Sequence, residues 1–230
     1  MQFRSKFVLF IVLIGVYGTC SAQDYFGEIT FRKNLMNKEK WTIHTEGKFK
    51  NSFQSPVWSG IALDMVGVFR HKKWKIDGGL LILFVDDTES INFFELRPRV
   101  RVAYTIPIKK RFKLLPSARI ESRNFLYTTS GIANRSFWRP RLKLELDIDV
   151  TKKSNLETRW GTNISYEWYY KTNTRTAERY ASSQEMGAEL IYYDKANHKF
   201  KFGVYYQSVR DNFGSSSNTI TNFRLKCYIW

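Results

Sequence analysis

Cysteine is nearly absent from this chain: there are two in 230 residues, Cys20 and Cys227. Cys20 lies in a segment expected to be removed on export, so one thiol is left and no internal disulfide can form. That excludes the disulfide-stapled scaffolds on which small secreted domains often depend. Proline is scarce at five residues, and histidine scarcer at three. His71 and His198 fall in expected turns, and His44 shares a strand face with Glu46. No His/Cys cluster therefore has metal-ligand spacing. A lipid-hydrolysing enzyme would need a serine–histidine pair on the outer wall, and His44 has inward parity. The glycine pair in "IDGGLLI" is followed by no helix, so it marks close packing or a bend and not a phosphate loop. No catalytic, cofactor-binding or metal site is expected, and the chain reads as non-enzymatic.

Long apolar runs are missing as well, beyond the first residues. The chain begins "MQFRSKFVLFIVLIGVYGTCSAQD". Arg4 and Lys6 precede an apolar run, Phe7 to Gly18, and small residues follow before Gln23. This is the pattern of a secretory signal peptide, residues 1–22. Cys20 as an acylated lipoprotein cysteine fits less well, because Tyr17-Gly18-Thr19 departs from a lipobox. No later run approaches the roughly 20 residues of a membrane helix. An exported chain without such a helix is either soluble or a β-barrel.

Negative charge is the third deficit. The formal charge is +16, from 37 basic and 21 acidic residues, and becomes +14 once Arg4 and Lys6 leave. So basic a chain would suit a polyanion, but export argues against nucleic acid.

What is present in abundance is alternation. Aromatic and β-branched residues recur with period two, and ten strands are expected: 41–50, 57–70, 74–86, 91–106, 111–124, 137–150, 155–170, 178–193, 199–210 and 218–230. Most have 12–16 residues, against five or six in ordinary globular sheets. A tilted membrane-spanning strand needs about 9–11. Short lysine-rich connections ("HKK", "PIKK", "TKKS", "DKANH") alternate with mostly longer polar ones ("NSFQSP", "LYTTSGIANR", "KTNTRTA", "DNFGSSS"). Short turns on one side and long loops on the other are the layout of an outer-membrane barrel. The expectation is an all-β, antiparallel, up-and-down transmembrane β-barrel of ten strands, with twelve as the alternative. The chain then divides into a signal peptide (1–22), an N-terminal lead-in (23–40) and the barrel (41–230). An even count places both ends in the periplasm. Asp24 to Met36 fits the count poorly and reads as a lead-in, an inserted segment or an extra strand.

Parity assigns the faces. In "SFWRPRLKLELDIDV", Arg139, Arg141, Lys143, Glu145, Asp147 and Asp149 share one face, and Trp138, Leu142, Leu144, Leu146 and Ile148 the other. The apolar face suits lipid. A ladder of both signs suits a narrow interior, where each buried charge needs a partner. The expected lumen network is Glu95, Arg97, Arg99, Arg101, Arg119, Glu121, Arg123, Arg139, Arg141, Lys143, Glu145, Asp147, Glu157 and Arg159. Aromatic residues at strand ends form two expected interface girdles. Trp41, Trp74, Tyr104 and Phe200 lie on the turn side, and Trp58, Phe125, Trp138 and Trp168 on the loop side. The terminal "FRLKCYIW" is similar to the aromatic-ended strand through which the assembly machinery takes outer-membrane barrels, though Trp230 lies on the parity of Arg224.

The run "SARIESRNFLYTTSGIANRSFWRPRLKLELDI" resembles the central pattern of domain-of-unknown-function family 2490. There, R-x-E-x-R in one strand is followed across a loop by R-x-R in the next, here Arg119, Glu121, Arg123 and then Arg139, Arg141. The resemblance implies an outer-membrane barrel of unknown activity in Gram-negative bacteria, and it supplies no catalytic residues. The expected role is a barrel with a charged, self-filled interior. The alternatives are a narrow channel or binding barrel for small anionic solutes, a lipid-modifying enzyme, and a soluble periplasmic lipocalin-like binder. Expected partners are outer-membrane lipid, with lipopolysaccharide at the outer rim, and the barrel-assembly machinery. No nucleic acid and no cofactor are expected, and the barrel reads as a monomer in the outer membrane.

Overall fold

A segment that alternates over a dozen positions has one face for hydrocarbon and one for a polar interior, and its backbone groups must all find partners on neighbouring strands. The computed structural model describes residues 24–53, 58–87, 92–129, 131–151, 158–170, 182–194, 198–210 and 217–229. It holds the strands β1 (Asp24–Asn37), β2 (Trp41–Ser52), β3 (Trp58–His71), β4 (Trp74–Asp87), β5 (Phe93–Tyr104), β6 (Ile106–Lys109), β7 (Phe112–Tyr127), β8 (Arg135–Asp149), β9 (Arg159–Tyr169), β10 (Ser182–Tyr193), β11 (Lys199–Arg210) and β12 (Ser217–Ile229). Sequential neighbours pair antiparallel except β5 and β6, which both pair with β7, and β1 closes the wall against β12. The short β6 extends the β5 stave beyond Thr105: Ile106 faces Leu114 in the register in which Ala103 faces Ser117.

The wall therefore has eleven staves, not ten or twelve. The difference lies in the expected lead-in. Residues 24–37 form a full stave, paired with β2 from Phe26 to Asn37 and with β12 from Asp24 to Lys33. Its alternation is regular: Glu28 and Thr30 are buried, whereas Ile29, Phe31 and Leu35 are exposed. Without β1 the sheet would keep two unpaired edges, which a closed barrel removes. An odd count also makes the closure parallel, the one parallel pairing among the described strands. It further overturns the expectation that both ends share one side. Asp24 starts at the end with the longer connections, and Ile229 finishes at the end with the short turns. The expected signal peptide lies outside the described residues.

At the short-turn end, Lys38–Trp41 is closed by reciprocal backbone hydrogen bonds of 2.8 and 3.1 Å. The turn between β3 and β4 has two residues, and Lys72 takes a φ of 51°. Positive φ is what a right-twisted two-residue hairpin requires.

The faces sort as parity indicates. Ile61, Leu63, Met65, Leu142, Leu144 and Ile164 are exposed on the outer wall, while Asp64, Glu95 and Glu121 are 0% exposed inside it. Outward aromatic rings pack across strands near the turn end: Trp41 on Phe69 at 4.8 Å, Trp74 on Tyr104 at 4.7 Å, Trp160 on Tyr192 at 4.7 Å and Tyr192 on Phe200 at 6.2 Å. Near the loop end, Trp138 is exposed and Trp168 packs on Tyr166 at 4.3 Å. Two residues expected in the girdles are not there. Trp58 shares the parity of Asp64 and points inward, against Phe26 at 5.8 Å. Phe125 shares the parity of Glu121 and is buried. In both cases a place near a strand end suggested an interface, but parity fixes the face.

Candidate functional site

The lumen is the place where chemistry-bearing side chains converge. Its carboxylates are fewer than its cations, so each serves several. Glu95 receives Nε and Nη2 of Arg97 at 2.8 and 2.7 Å and of Arg123 at 2.5 and 2.8 Å. Glu121 accepts from Arg139 Nε at 2.6 Å and Arg141 Nη1 at 3.2 Å, with Arg119 Nε 3.8 Å away. Arg119 and Arg141 converge again on Glu167, at 2.8 and 2.9 Å. Asp64 joins Lys48 at 2.7 Å to Arg99 at 2.8 Å, and Asp77 holds Arg101 at 2.7 Å. On β1, β2, β10 and β12, Glu28 pairs with Lys50 at 3.1 Å, Glu46 with Arg32, and Glu185 with Arg224 at 2.6 Å. Register explains much of this. Glu121 lies directly across from Arg99 on β5 and Arg139 on β8. Arg119, by contrast, faces Arg101 and Arg141, a like-charge row that only the shared carboxylates make tolerable.

Aromatic rings support the guanidinium groups. Tyr169 lies 4.0 Å under Arg141, Tyr205 3.8 Å under Arg224 and Phe125 4.8 Å under Arg123. Two glycines make room for these arrangements. At Gly79 a Cβ would come within 2.8 Å of the Met65 carbonyl oxygen and 3.5 Å of Arg99 Nη2. Its bareness lets Arg99 cross β4 to reach Asp64, which is the close packing expected of the glycine pair. At Gly187 a Cβ would stand 2.4 Å from the Tyr205 ring. Gly187→Val should therefore push Tyr205 off Arg224 and Glu189 and cost about 1–3 kcal/mol of overpacking. A lowered urea midpoint in micelles checks this, and an unchanged midpoint would refute it.

Two internal cavities lie among the described residues. A cavity of about 360 Å³ occupies the loop-side and middle lumen, and one of about 180 Å³ the turn side. Arg139, Arg141 and Lys143 of β8 line the larger one; Glu145, Asp147 and Asp149 line the smaller. Between them Glu189 binds Lys226 of the larger lining at 3.0 Å and Lys201 of the smaller at 2.5 Å, and Lys143 meets Glu145 at 3.0 Å. The larger cavity has a net positive lining. Thirteen arginine and lysine side chains line it, against six glutamates; Asp64, Asp77, Glu145 and Glu189 pair with Lys48, Arg99, Arg101, Lys143 and Lys226 of that lining, which leaves a surplus of three positive charges.

One sector of the lumen is mostly apolar, with Glu95 and Arg123 set among its rings. Ala62, Leu81, Leu83, Val85, Phe93, Phe125 and Phe137 form a buried apolar cluster inside the barrel, with Trp58 and Tyr127 against it. Its signal is the run "LLILFV" in β4, where alternation lapses and both faces become apolar.

Of the expected network, Glu95, Arg97, Arg99, Arg101, Arg119, Glu121, Arg123, Arg139, Arg141 and Lys143 meet in the larger cavity, and Glu145 and Asp147 in the smaller. Arg159 departs from it: it has interior parity but is exposed at the turn-side mouth, 4.5 Å over Tyr193. Glu157 lies outside the described residues. The expected network left out Asp64, Glu167 and Arg224, although their parity is interior, and it did not single out Glu185, Glu189 or the two tyrosines. Most are single polar residues among apolar neighbours, so parity marks their face but not their partners.

A family model described as "Protein of unknown function (DUF2490)" matches residues 23–218. No curated protein matches the chain. Among solved structures, the β domain of the Bordetella autotransporter BrkA is similar in fold, with a TM-score of 0.56, 10% identity and 84% of each chain covered.

Proposed function

The chain belongs to the DUF2490 family of proteins of unknown function, and from that premise we propose that it is an outer-membrane β-barrel whose lumen holds a small anion. The observation that carries this reading is the lining of the larger cavity, where thirteen cations exceed the six lining carboxylates and the four more that pair with them. Fixed positive charge between low-dielectric walls concentrates anions, an effect that weakens as salt rises. The membrane setting is supported by the outward apolar band, its aromatic ends and the likeness in fold to an autotransporter β domain. The role is binding and not catalysis. The barrel retains its anion without conducting it, because the Glu189 cluster and the Lys143–Glu145 pair stand between the two cavities.

Calorimetric titration of the nanodisc-embedded barrel with inorganic phosphate at low ionic strength tests the reading. Saturable binding is expected, weakened by salt and reduced about tenfold by Arg119→Gln with Arg224→Gln, roughly one charge-assisted hydrogen bond lost. Absence of saturable phosphate binding would refute it. In planar bilayers the wild-type barrel should give no steady conductance steps; ion-selective steps would instead mark an open channel.

A further inference from the structure

We propose that the anion held in this lumen is amphiphilic: one carboxylate or phosphate head on an apolar body. The inference rests on the anion reading and adds the other half of the ligand. Successive cross-strand rows give the order of the lumen wall. Nearest the loops, Val85 faces Phe93, which faces Tyr127; next, Leu83 faces Glu95, which faces Phe125; then Leu81 faces Arg97. Below these, Gly79 faces Arg99 and Arg99 faces Glu121, which faces Arg139; then Asp77 faces Arg101, which faces Arg119, which faces Arg141. The wall thus changes from mainly apolar near the loops, where Glu95 is the buried exception, to arginine-rich below, within one cavity of about 360 Å³. That volume falls in the ~300–1,000 Å³ range of small-molecule sites.

Neither half of this wall suits a purely polar solute. Leu81, Leu83, Val85, Phe93 and Trp58 line the cavity and offer such a solute nothing to bond, whereas an apolar body against them is removed from water. Deeper in, the carboxylates leave hydrogen-bonding capacity unfilled. The Nε–H groups of Arg119 and Arg224 have no acceptor among the described residues, and both side chains line the same cavity. Guanidinium forks match the geometry of carboxylate and phosphate oxygens. The ligand therefore lies with its head on the arginine rows and its body toward the loops.

Three probes separate the parts in the nanodisc-embedded full barrel, each corrected against empty discs: acetate, 4-phenylbutyrate and 4-phenylbutylamine. The expected result is 4-phenylbutyrate binding at least about tenfold tighter than acetate, with no saturable binding of the amine. Leu83→Gln should bring 4-phenylbutyrate down to the affinity of acetate and leave acetate unchanged. Should that variant fail to fold, the wild-type ratio decides alone. Equal affinity for the two acids overturns the amphiphilic inference and leaves the anion reading standing. Equal affinity for acid and amine, or saturation by none of the three, overturns both.

Discussion

Glu121→Leu should lower the stability of the barrel by about 3–5 kcal/mol, the cost of stranding buried cationic partners. Glu121 is 0% exposed and holds Arg139 at 2.6 Å and Arg141 at 3.2 Å. Arg141 retains Glu167 at 2.9 Å, so the loss falls chiefly on Arg139. The second half of the expectation is a rescue. Replacing both members of a buried pair by apolar residues is often neutral, so Glu121→Leu with Arg139→Leu should recover most of what the single change loses. Urea unfolding in micelles, followed by tryptophan fluorescence, measures both. A single variant within about 1 kcal/mol of wild type, near the range of an ordinary exposed ion pair, would show that the lumen charges are not structurally coupled.

Leu144→Arg should cost about 2–4 kcal/mol, the expected penalty for arginine on a lipid face near the bilayer midplane. Leu144 lies in the middle of β8 and is exposed on the outer wall. Leu126→Arg, near the loop end of β7, should cost only about 0–1 kcal/mol, as depth dependence requires. In a water-soluble barrel both would be surface changes, each within about 0.5 kcal/mol. The gradient between the two positions therefore separates the proposed membrane setting from a lipocalin-like one. Unfolding from lipid vesicles is the measurement, and equal small costs would sink the membrane reading.

Much of the architecture was legible because a barrel stave carries its own instructions. In "SFWRPRLKLELDIDV" the period-two pattern states both that the segment is extended and which residues share a face. The same pattern put Glu95, Arg97, Glu121, Arg123, Arg139 and Arg141 on one side before any strand was paired. Two features of the sequence point the wrong way. A place near a strand end suggested an interface for Trp58 and Phe125, although their parity matched Asp64 and Glu121. A count starting at Trp41 set aside "DYFGEITFRKNLMN", whose Ile29, Phe31 and Leu35 alternate with Glu28, Thr30 and Arg32 as regularly as any later strand.

By itself the sequence determined the strands, their faces and the charged character of the interior, because side-chain direction in an extended chain follows from position alone. The tertiary structure decided whatever depends on closure. Closing the sheet brought β1 beside β12 in parallel and made the staves eleven. It also placed Arg99 against Asp64, thirty-five residues away in the chain, and Arg119 against Glu167, forty-eight away. Which carboxylate serves which cation, and where the apolar sector meets the arginine rows, follows from register between strands. Register is a relation between segments, and no single segment contains it.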